Sequence, residues 1–135
     1  MAGVIPRCPA LVLCGRVERD AATRNPTLVG VFQVIEVASF PAGTRPFAVW
    51  IQLTNGHGAI GMQVRIAHVR PDHFEDEPVA TLEFTRNFAD PRVVHEHVGR
   101  FENGLYLEQA GDYLVTLTAN GIEVARTYLR ASVKT

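Results

Sequence analysis

The chain has 135 residues, 47% of them hydrophobic and 20% charged, with a formal net charge of -1. That is enough chain and enough apolar side chain for one domain with its own core, and it excludes intrinsic disorder. The 13 basic residues are scattered along the chain against 14 acidic ones, so the basic surplus by which a nucleic-acid binder neutralises phosphate is missing.

In chain order, the apolar run at residues 10–14 is too short for a signal-peptide core, and Arg7 and two prolines interrupt what precedes it. No stretch approaches the roughly 20 apolar residues that a spanning helix needs. The expectation is a cytoplasmic protein without membrane insertion. Cys8 and Cys14 are six residues apart, roughly 20 Å if extended. A disulfide needs Cα atoms within about 7 Å, so reduced, buried thiols are expected.

Residues 10–18 read as a first strand. After the Asn25-Pro26 turn, residues 27–37 form a nearly continuous apolar run, the pattern of a strand covered on both sides, with Gly30 as a bulge. Ile60, Met62, Val64 and Ile66 alternate with Gly61, Gln63, Arg65 and Ala67, and Phe47, Val49, Ile51 and Leu53 show the same period-two spacing upstream. Asn55-Gly56 lies between them and predicts a tight antiparallel hairpin. Residues 79–86 alternate with Leu82 and Phe84 on one side, and residues 91–101 form a further strand. The closing segment predicts a second hairpin around Asn120-Gly121, with Ile122 opposite Ala119, Val124 opposite Leu117 and Arg126 opposite Val115. No segment carries a helical pattern of ten or more residues. The expected fold is all-β: a single antiparallel β-sandwich over residues 1–135, immunoglobulin-like in general form, with seven to nine strands.

"LVLCGRV" at residues 11–17, followed by a turn and "LVGVFQVIEVASFP" at residues 28–41, resembles a family of short bacterial all-β domains of unknown function. The resemblance continues through "FAVWIQLT", a glycine-containing turn, "MQVRIAHVRPD" and the "GDYLVTLTANG" hairpin. It implies the all-β fold and brings no catalytic residues with it. The last hairpin is also similar to the end of many immunoglobulin-like domains.

The chemistry-bearing candidates are few. "HEH" places His95 and His97 on one strand face, where two imidazoles can ligate a divalent transition metal, and Glu102 follows five residues later. The trio resembles the first metal motif of cupins, but no histidine follows His97 to complete the set. The competing reading is two ordinary strand histidines at a sheet edge or an oligomer contact. Residues 72–77, "DHFEDE", offer carboxylates of the kind that hold calcium in sandwich loops, or a plain solvated loop. Trp50 is either a sugar platform or a tryptophan packed between sheets. Ser39 and Ser132, the two serines, lack a glycine-flanked elbow.

Because the strong signals are spent on strands, turns and core, the leading expectation is a non-catalytic binding or assembly module without a cofactor. It would act through a protein partner or self-association, with the last strand, residues 122–133, as the pairing edge. The alternatives are a small metal-dependent enzyme built on His95, His97 and Glu102, and a small-ligand or carbohydrate-binding sandwich.

Overall fold

The computed structural model describes residues 3–135. Among them the chain forms twelve strands and no helix: β1 (Arg7–Cys14), β2 (Arg16–Arg19), β3 (Pro26–Val29), β4 (Val34–Val37), β5 (Ala42–Gly43), β6 (Phe47–Thr54), β7 (Gly58–His68), β8 (Glu77–Phe88), β9 (His95–Phe101), β10 (Tyr106–Leu107), β11 (Gly111–Ala119) and β12 (Ile122–Val133). The two principal sheets are three-stranded, in the order β1-β6-β9, and five-stranded, in the order β4-β12-β11-β7-β8. The pairs β2-β3 and β5-β10 form small ribbons.

The core lies between the principal sheets. Leu13, Val49, Ile51 and Leu53 come to it from one sheet, and Ile60, Val64, Ile66, Val115, Leu117 and Leu129 from the other. Each is essentially inaccessible to solvent, and burial of a side chain of this size stabilises the fold by about 1.5–3 kcal/mol. The inward alternation read from the sequence is therefore present in β6, β7, β8 and β11.

Three expectations about connectivity are corrected. First, β6 and β7 do not pair. β6 pairs with β1 and β9, while β7 pairs with β8 and β11. Residues 55–57 carry the chain from one sheet to the other. Asn55 has a positive φ of 61°, but Gly56 does not, whereas a type I′ hairpin needs positive φ at both turn positions. Gly56 is instead buried under the Phe88 ring. Crossing between sheets sets the two apolar faces against each other across the core, an arrangement with the same period-two signature as a hairpin.

Second, residues 27–37 are two strands. The chain breaks at Gly30, which adopts a φ of 71°. β3 then pairs with β2, and β4 pairs parallel to β12. Val31 and Val34 are more than half exposed, so the run is not covered on both sides. Gly15 similarly divides the first predicted strand, because its N–H turns to the carbonyls of Val29 and Gly30. These breaks, with the two-residue strands β5 and β10, take the count above seven to nine. The β4–β12 pair also departs from a purely antiparallel arrangement.

Third, the final hairpin turns at Asn120-Gly121 as expected, with φ of 48° and 81°, and Ala119 faces Ile122. A bulge then follows between Leu117 and Thr118, so that Leu117 faces Ala125 and Thr116 faces Arg126. That one-residue shift moves Arg126 to the outer face, where it pairs with Glu123, and turns Leu129 and Ala131 into the core.

Candidate functional site

β9 is an edge strand. It pairs with β6 only, in a continuous register from Phe47↔Phe101 to Leu53↔His95. Residues directly opposite on paired strands share a face. His97 lies opposite Ile51 and His95 opposite Leu53, so both histidines point inward, with Gly99 and Phe101. The same-face expectation for the pair holds, and the face is the interior one.

What meets the histidines comes from β8, the edge strand of the facing sheet. The His97 ring stacks on Phe84, with centroids 3.6 Å apart and planes within 6°. His95 meets Phe88 edge to face at 4.7 Å. Gly99 leaves space for Leu82, whose Cδ1 lies 3.1 Å from where a Cβ would stand. Arg86 completes this layer, its Nε donating to His95 Nδ1 at 3.4 Å. Burial, and then the adjacent Arg86 guanidinium, push the His97 imidazole below its ordinary pKa. His95 Nε2 is buried without a hydrogen-bond partner. Glu102 is exposed, one residue beyond the end of β9, at a position of opposite parity to the histidines. Among the described residues no group of three or more histidine, cysteine, aspartate or glutamate side chains is arranged to hold a metal ion. The geometry supports an imidazole–aromatic layer that closes the side of the core.

The opposite face of β9 carries Glu96, Val98 and Arg100, paired with Gln52, Trp50 and Ala48. Trp50 is half-buried here, outside the principal core, and donates its indole N–H to Glu96 Oε2 at 3.2 Å. Arg19 reaches the same oxygen from the end of β2 at 2.7 Å. Trp50 thus lies outside the core between the principal sheets, with its indole N–H engaged by Glu96. Cys14 is buried, and Cys8 is half-buried with its thiol donating to the Ala10 carbonyl. Both are free thiols, and burial raises the pKa of each.

A cleft of about 830 Å³ opens at one end of the molecule, between the β7–β8 connection and the start of β11. His68 stacks on Tyr113 at 4.7 Å, and the Tyr113 hydroxyl donates to the Gln109 carbonyl at 2.6 Å. Arg70 binds Glu77 at 3.2 Å and the Glu75 carbonyl at 3.2 Å, leaving its buried Nε without a partner. The acidic loop read as a calcium candidate borders this cleft, and Glu77 is committed to Arg70.

The cleft and the β8 side of the histidine layer were not legible in advance. The alternation of Phe84, Arg86 and Phe88 signals one shared face, but nothing in it names β9 as the strand opposite.

Fold and surface together define an all-β protein of several sheets, with the paired histidines facing inward between β9 and β8. The chain belongs to a family of unknown function, DUF6941, which matches residues 9–132. No curated protein matches the chain. No helix among the described residues is long and apolar enough to cross a membrane.

Proposed function

We propose that the chain is a non-catalytic binding or assembly module, acting through protein–protein contacts in a homo-oligomer or a larger complex. The observation that carries this reading is the open side of the two layers. β8 and β9 are both edge strands, each pairing on one side only. Unpaired main-chain groups along such an edge are a template for an added strand. β12, the edge expected from the sequence, suits the role less well, because β4 already covers its last four residues. The finer reading of an immunoglobulin-like form is supported by the Tyr113 hydroxyl bonding back to the Gln109 carbonyl at the entry to β11, as a tyrosine corner does. The two free thiols favour a reducing, cytoplasmic compartment.

The test is light scattering over about a hundredfold concentration range, with elemental analysis of the same tag-free protein. A mass of two or more chains without stoichiometric metal is the expected result. A monomer carrying about one transition-metal ion per chain, lost in His95→Ala/His97→Ala, would replace this reading with the metal-dependent enzyme.

A further inference from the structure

We propose that β9 is a self-complementary dimer edge, through which two copies of this chain pair antiparallel about a two-fold axis at Val98. The inference rests on the assembly reading above and names its partner. An isologous contact requires one patch to complement itself under a two-fold rotation. With Val98 opposite its own copy, Glu96 falls opposite Arg100 of the second copy, and Arg100 opposite Glu96. On the inner face, His97 falls opposite Gly99, the position with no side chain. Registers centred on Glu96 or on Arg100 would instead set like charges directly opposite, which is unfavourable.

The two charged groups are placed for this exchange. Trp50 and Arg19 both engage Oε2 of Glu96. Its Oε1 has no partner among the described residues. Arg100 is exposed, and among the described residues it makes no ion pair. Side chains directly opposite on antiparallel strands have Cβ atoms about 4.5–5.5 Å apart, within reach of a carboxylate and a guanidinium. β9 also lacks several of the usual defences of an edge. It contains no proline or lysine, and its pairing with β6 runs without a bulge. β8 has Pro78 near its start and a bulge in its pairing with β7. The pairing would join the two three-stranded sheets into one continuous sheet across the axis.

Sedimentation velocity on the whole chain tests the proposal, comparing wild type with Arg100→Glu. Reversing both cross-axis pairs should weaken the dimer by about tenfold or more. A cross-link supplies the second measurement. Val98 on the axis would lie about 4.5–5.5 Å from its copy, Cα to Cα, inside the span of a disulfide. In a Cys8→Ser/Cys14→Ala background, Val98→Cys should therefore form a covalent dimer in oxidised glutathione, and Thr85→Cys on β8 should not. If wild type is oligomeric while Arg100→Glu leaves its mass unchanged and Val98→Cys cross-links no faster than Thr85→Cys, the β9 pairing is wrong and the assembly reading survives. A wild-type monomer across the whole concentration range overturns both.

Discussion

Gly56→Ala separates the sheet-crossing geometry at residues 55–57 from the hairpin that the Asn-Gly dipeptide predicts. A Cβ on Gly56 would lie 2.8 Å from Cδ1 and Cγ of Phe88 and 3.0 Å from Cδ2. Carbon atoms pack at about 3.5–4.0 Å, so the ring must retreat by most of an ångström. Phe88 is 1% exposed and fixed in the core, leaving nowhere to retreat without disturbing its neighbours. Overpacking of this kind costs about 1–3 kcal/mol. Phe88→Ala removes Cγ and both Cδ atoms, which cause the clash, at a cost of about 3–5 kcal/mol for the lost contacts and the cavity. The combined variant should then be little worse than Phe88→Ala alone, a coupling of about 1–2 kcal/mol. Urea denaturation measures this as midpoint shifts at constant slope. If the two costs add within about 0.5 kcal/mol, the penalty lies in the Gly56 backbone and not in the Phe88 contact, and the crossing geometry is refuted.

Asn120→Ala should destabilise the chain by about 1–2 kcal/mol, because Asn120 combines a φ of 48° with a side-chain oxygen that accepts the Gly61 N–H at 2.9 Å. Asn120→Gly should recover the backbone part of that loss in the same denaturation assay. Tyr113→Phe should cost about 1 kcal/mol, since it leaves the Gln109 carbonyl without its 2.6 Å donor; no change would show that bond to be incidental. The depressed pKa of His97 sets the sign of an acid effect. The unfolded chain takes up the proton first, near the ordinary value of 6.5, so stability is lost as pH falls below that point. His97→Phe should flatten the stability profile immediately below that value, and an unchanged slope there would contradict the buried stacking on Phe84. Chelator treatment should leave the melting temperature unchanged under the assembly reading, whereas a fall reproduced by His95→Ala would favour the metal-dependent one.

The local chemistry of the sequence determined much of this protein. Period-two alternation marked the inward faces of β6, β7, β8 and β11, because a strand can bury only every second side chain against a single core. Asn120-Gly121 specified its own turn, since few other residues accept positive φ twice in succession. The shared face of His95 and His97 followed from the same two-residue period. Only the tertiary structure decided which strand meets which. Asn55-Gly56 looks like Asn120-Gly121 in sequence, yet one crosses between sheets and the other closes a hairpin. The difference lies with Phe88, more than thirty residues away, which occupies the space over Gly56. The bulge after Leu117 reversed the fate of Arg126 by shifting the register one residue. Phe84 and Arg86 reached the histidines because two edge strands from different sheets converge on one side of the core. Alternation records which side chains are buried, and it is silent about what buries them. That assignment depends on contacts distant in the chain, whose combined packing selects one arrangement from several with the same local pattern.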